Sequence, residues 1–132
     1  MSRDAITLTI PHDRPFYGVA RLVVGGIAAR LDLSFEHLED LQLALESLLD
    51  NDAYAVGESV TVELVVGEDA VQMSLGPVAG SALRADLAGE SEADEIGLAR
   101  LLGAVVEGVA VEEREAAEWV RFEKRIAGGG EG

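Results

Sequence analysis

Two alternating runs of side chains on either side of a short turn constrain this chain more than any other feature. Val60, Val62, Leu64 and Val66 fall on one side against Thr61 and Glu63; after Gly67-Glu68-Asp69, the residues Val71, Met73 and Leu75 oppose Gln72 and Ser74. A period of two sends successive side chains to opposite faces of a strand, so these runs predict a hairpin with one apolar and one polar face. An isolated hairpin is marginal in water, and the apolar face requires a second layer.

The rest of the sequence supplies that layer. Ala5 to Ile10 alternates as a further strand that Pro11 stops. Asp13 is placed to cap a helix carrying Phe16, Val19, Ala20, Val23, Ile27 and Leu31 at three- and four-residue spacing, with Pro15 in its first turn. Gly25-Gly26 lies inside this helix, where each glycine costs about 1 kcal/mol against alanine, and close packing is the plain reading of the pair. Ser34 predicts the N-cap of a second helix, with Leu38, Leu41, Leu45, Leu48 and Leu49 as its stripe, running to about Tyr54. Gly76 to Glu95 reads as a loop of about twenty residues, long enough to have a function. A third helix is expected from about Asp94 to Glu107, capped by Ser91 or Asp94, then a strand at Val109 and Val111, a turn through EREAAE, and a last strand at Val120 and Phe122.

The order strand, helix, helix, hairpin, helix, hairpin predicts an α+β fold, a two-layer α/β sandwich with a mostly antiparallel mixed sheet and three helices on one face. The other face, with Thr7, Thr9, Thr61, Glu63, Gln72, Ser74, Arg121 and Glu123, is expected to be wet, Val65 and Trp119 being its large apolar exceptions. A length of 132 residues with 48% apolar side chains suits one domain over residues 1–126, with a disordered glycine-rich tail at 127–132.

Charge narrows the partners. The formal charge of −15 repels phosphate backbones and anionic lipid, which excludes direct nucleic-acid and membrane binding and favours basic patches, metal-bound nucleotides or apolar surfaces. No signal-peptide start or membrane-length apolar run is present, and the absence of cysteine fits a reducing interior, so the expected location is cytoplasmic. His12 reads as a loop residue and His37 as a surface residue, while Trp119 is a candidate interface aromatic.

Four stretches then carry a family resemblance: LTIPHDRPFYGVARLVVGGIAARLDLSFEHLEDLQLAL from Leu8, Asn51 with its neighbours, EIGLARLLGAVVEGVAVEE from Glu95, and WVRFEKRI from Trp119. Together they resemble the small anti-sigma regulatory factors of the RsbW and SpoIIAB type, serine/threonine protein kinases with the histidine-kinase-like ATPase (GHKL) fold. The resemblance implies ATP with Mg2+ as cofactor, held between the second and third helices. It also implies a sigma factor or an anti-anti-sigma antagonist as protein partner, a serine of the antagonist as phosphoryl acceptor, and a possible homodimer.

Residue by residue, the resemblance places the family's metal-binding asparagine on Asn51. The glutamate that acts as general base in the family stands four residues earlier, a helical separation of roughly 400° that keeps both groups on one face. Here Ser47 holds that place and Glu46 is one residue early, rotated by about 140° from Asn51. A shifted reading pairs Glu46 with Asp50 around a cation. The family's Asp-x-Gly-x-Gly adenine motif falls on Gly76-Pro77 with Gly80 nearby, and its glycine-rich lid is reduced to Gly89 and Gly97. The candidate set is therefore Glu46 as catalytic residue, Ser47, Asp50, Asn51, Gly76, Gly80, Gly97 and Leu98 for the nucleotide, and Asn51 with Asp50 for the metal.

Acidic residues at Glu46 to Asp52 and at Glu90, Glu92, Asp94 and Glu95 flank that pocket and oppose a polyphosphate. The leading expectation is an anti-sigma-type binding protein with nucleotide binding and kinase activity weakened or lost. The alternatives are an active kinase of the same type and a small-ligand sensor on the same fold.

Overall fold

The alternating runs become a five-stranded sheet in a computed structural model that describes residues 4–31, 33–89 and 97–126. Along the chain come β1 (Asp4–Pro11), α1 (Arg14–Arg30), α2 (Phe35–Leu49), a 3-10 turn (Asp52–Tyr54), β2 (Ser59–Val66), β3 (Ala70–Gly76), α3 (Gly80–Leu87), α4 (Leu98–Val105), β4 (Glu107–Arg114) and β5 (Ala117–Arg125). The strands lie in the order β1-β2-β3-β5-β4, and every pairing is antiparallel. The sheet is thus not mixed among the described residues, because β5 returns from a tight hairpin with β4 to run against β3.

Four helices, one more than expected, cover a single face. Val62, Leu64, Met73, Leu75, Val120 and Phe122 of the sheet meet Leu41, Ala44 and Leu45 of α2, Leu83 of α3 and Leu102 of α4, all at most 1% exposed. The extra helix, α3, lies inside the stretch expected to be a loop; with eight residues it has too few turns for a strong periodic signal, and it buries only Gly80 and Leu83. α1 turns inward a side rotated from the expected stripe, keeping Ala20 and part of Ile27 but not Phe16 or Val19. It buries Tyr17, Ala20, Val24 and Ala28, whose alanines let the helix lie close to the sheet, and leaves Phe16, Val19 and Leu22 exposed.

Element ends also shift. Ser34 caps α2 as expected, its hydroxyl accepting from His37 N at 3.0 Å, but the helix stops at Leu49 instead of reaching Tyr54. Asn51 leaves helical geometry, with φ −96 and ψ 107, and its side chain caps the 3-10 turn instead. α4 ends at Val105 and not Glu107 because Val106 is already extended. The expected start of that helix, with Ser91, Asp94 and the acidic run 90–95, lies outside the described residues, as does the tail 127–132.

β4 runs on through Arg114, so the turn expected across EREAAE contracts to Glu115 and Ala116, both at positive φ (50 and 69). That two-residue geometry matches the twist of the flanking strands. None of the helices, among the described residues, is long and apolar enough to cross a membrane.

Candidate functional site

The end of α2 gathers four of the predicted site residues and then sends their side chains apart. Glu46 forms an ion pair with Arg21 of α1. Ser47 donates its hydroxyl hydrogen to the carbonyl of Leu43 at 2.8 Å, a bond within its own helix. Asp50 caps the helix, and its carboxylate lies 3.6 Å from the Arg14 guanidinium. The Asn51 side-chain oxygen accepts from Ala53 N at 2.9 Å. Glu46 and Asp50 thus face two arginines; the described residues contain no group of three or more His, Cys, Asp or Glu side chains placed to hold a metal ion.

Asn51 borders a cavity of about 10 Å³, together with His12, Leu49, Tyr54, Pro77 and Val78. That is room for about one water molecule, where small-molecule sites span about 300–1,000 Å³. The buried Nε2 of His12 has no hydrogen-bond partner among the described residues, while Tyr17 Oη lies 3.5 Å from its Nδ1. Burial and then the charge of Asp52 push the Tyr17 phenol above its ordinary pKa, so it stays neutral at physiological pH.

The stretch after β3 is pinned by contacts that sequence reasoning did not find. Val78 N donates to Glu118 O at 2.8 Å and Ala79 N to Tyr54 O at 2.9 Å, while Tyr54 Oη donates to the Asp86 carboxylate. Gly76 allows a close approach of the Trp119 ring, while Gly80 lies against the movable end of Glu118. A Cβ on Gly76 would sit 2.2 Å from the Trp119 indole, and one on Gly80 would sit 2.0 Å from the Glu118 carboxylate. Glu118 also pairs with Arg84 at 2.7 Å. Its charge at the first turn of α3 is favourable to the helix dipole, and it occupies that turn with the chain's own carboxylate. Gly97 is the N-cap of α4 and Leu98 its first residue; a Cβ on Gly97 would meet nothing within 4 Å. Lys124 holds the other end of α4 by donating to Val105 O at 2.9 Å and pairing with Asp40 at 2.7 Å.

On the opposite sheet face, Arg114 organises a network where a plain wet surface was expected. Its guanidinium reaches Glu63 at 3.0 Å, Glu112 at 3.2 Å and the Ser74 hydroxyl at 2.9 Å, and it stacks over Trp119 with 4.6 Å to the ring centroid. Ser74, expected to be wet, is 1% exposed under this cover. Desolvation opposes charge on both Arg114 and Glu112, but their mutual bonds and those to Glu63 and Arg121 outweigh it. Arg114 is held above its ordinary pKa and Glu112 below. The signal missed was strand parity: once β4 continues through Arg114, that residue shares a face with Glu112 and Trp119.

Comparison with known proteins finds relatives in sequence and in fold. Over 97 residues the chain is 32% identical to the serine-protein kinase RsbW of Halalkalibacterium halodurans, covering 59% of this chain and 60% of that one. Over 75 residues it is 33% identical to RsbW of Listeria monocytogenes serotype 4a, covering 53% and 48%. The chain is similar in sequence to curated RsbW serine-protein kinases. It spans about half the length of the curated relatives it matches. The crystal structure of the RsbU and RsbW domains of a Mycobacterium tuberculosis protein superposes with a TM-score of 0.65 at 15% identity, covering 93% of this chain and 32% of that one, a likeness of fold. No protein-family model matches the chain. In this chain the position four residues before Asn51 is Ser47, whose hydroxyl is bonded within its own helix.

Proposed function

We propose that this chain is a cytoplasmic anti-sigma regulatory protein of the RsbW type that holds a sigma factor or an anti-anti-sigma antagonist, with nucleotide binding and phosphoryl transfer weakened or lost. The observation that carries the proposal is the Arg21–Glu46 ion pair, which turns the carboxylate nearest to a general base toward α1 and away from Asn51. Kinase chemistry rests on positioning a nucleophile and neutralising phosphate charge. Ser47 provides neither a base nor a free hydroxyl.

The donors present do not fit magnesium well. A hard cation of this size takes near-octahedral oxygen ligands. Here the two candidates, Asp50 and Asn51, already engage Arg14 and Ala53 N. The side chains at this helix end therefore support no phosphoryl-transfer step. Binding draws on what remains, a charge of −15 that attracts a basic protein surface.

The test is association with a cognate sigma factor or antagonist, measured with and without magnesium-ATP and for Asn51→Ala. Unchanged affinity in all three conditions is expected. A clear loss in Asn51→Ala, or a requirement for ATP, would overturn the proposal.

A further inference from the structure

α1 turns its small residues to the sheet, and the side next to them opens onto a groove of about 490 Å³ at the sheet edge. Val23 and Ile27 of α1 line it with Ile6 of β1 and Val66 of β2, and β1 is an edge strand that pairs with β2 alone. Gly26 lines it too. A Cβ there would meet nothing within 4 Å, and one on Gly25 would meet only Gln42 Nε2 at 3.6 Å, so neither glycine answers the close-packing expectation. Glycine is a poor helix former, yet this pair sits mid-helix where no neighbour demands it.

Arg30 lines the same groove, and among the described residues no ion pair holds its guanidinium. Asp4 lines it as well and repels anionic groups, so a single carboxylate is accommodated only beside Arg30 and each further acidic group adds repulsion. We propose that the groove binds a small amphipathic monoanion, an acyl or aryl body ending in a single carboxylate. The body displaces water from Ile6, Val23, Ile27 and Val66, the space beside Gly26 admits it, and Arg30 pairs with the carboxylate. The volume falls within the range of small-molecule sites. None of the residues in the nucleotide candidate set lines it.

Octanoate titrated calorimetrically into the full chain, with octanol as uncharged control, tests the assignment on wild type, Gly26→Leu and Arg30→Met. Saturable octanoate binding to wild type is expected, weakened at least about tenfold by Gly26→Leu, whose side chain fills the groove. Arg30→Met is expected to weaken octanoate and leave octanol unchanged. Both positions are exposed on a helix, and Gly26→Leu is expected to raise Tm, so misfolding does not imitate lost binding. The assignment is overturned by no saturable binding to wild type, by equal binding to Gly26→Leu, or by indifference of octanoate to Arg30→Met. A wild-type dimer that Gly26→Leu dissociates in sedimentation would also overturn it, since the groove would then be a contact between copies.

Discussion

Arg21 of α1 and Glu46 of α2 form an ion pair, and seven residues before Arg21 the same side of α1 presents Arg14 to Asp50. Residues seven apart on one helix and four apart on the other share a face, so the two pairs zip the antiparallel helices together. Glu46 and Asp50 thereby face α1, while Asp52 follows Asn51 in the 3-10 turn. Both pairs are largely solvent-exposed, with Arg21 at 51% and Arg14 at 65% of side-chain area, so each contributes less than about 1 kcal/mol to stability. Arg21→Met is expected to lower the urea midpoint only slightly; a loss above about 2 kcal/mol would contradict this reading.

Ser47→Glu restores the family's residue type four positions before Asn51. Because α2 ends at Leu49 and Asn51 is extended, the new carboxylate does not share a helical face with it. ATP hydrolysis by the variant is expected to equal that of the wild type. A gain of tenfold or more would show that the helix continues to Asn51 in solution.

Gly76→Ala drives a methyl group into the Trp119 ring, and overpacking of this kind costs about 1–3 kcal/mol. In a Trp119→Ala background Gly76→Ala is expected to cost much less, giving a favourable coupling in a double-mutant cycle followed by urea unfolding. Additive losses would mean that the indole does not lie over Gly76.

The Glu115-Ala116 turn holds two non-glycine residues at positive φ, where asparagine and glycine are at ease. Ala116→Gly is expected to stabilise the protein by about 1 kcal/mol, because relief of strain exceeds the added freedom of the unfolded chain. Thermal unfolding checks the sign. A fall in Tm would place the hairpin in another turn type.

Glu112 titrates below its ordinary value, although desolvation acts against the shift, because Arg121 and Arg114 bind the carboxylate. A depressed folded-state pKa adds stability above the unfolded value and withdraws it as pH falls through the folded value. Wild type is therefore expected to be more stable than Glu112→Gln at neutral pH, with the gap closing as pH falls below the usual glutamate range. A gap that stays constant to about pH 3 would remove Glu112 from the acid response.

The sheet was legible because period-two runs at 60–66 and 71–75 place every second residue in the core, and Val62, Leu64, Met73 and Leu75 are buried as that pattern requires. α1 was misread by one step around the helix. Hydropathy favours Phe16 and Val19, while contact with the sheet favours the smaller Ala20 and Ala28. α3 escaped notice because a single buried leucine leaves no period to detect. In the candidate site, the sequence locates Asn51 and the serine before it, but not the arginines that take Glu46 and Asp50, since those contacts join residues 25 to 36 positions apart. The Arg114 network was hidden for the same reason, and by reading a continuing strand as a turn.

Calorimetric titration of the purified chain with magnesium-ATP and magnesium-ADP tests the central claim most directly. With Ser47 bonded within its own helix and Asn51 out of helical geometry, no saturable heat is expected up to about millimolar nucleotide, a binding free energy weaker than about −4 kcal/mol. Saturation by magnesium-ATP at micromolar concentration, with transfer of its phosphate to a serine of a bound antagonist, would contradict the account.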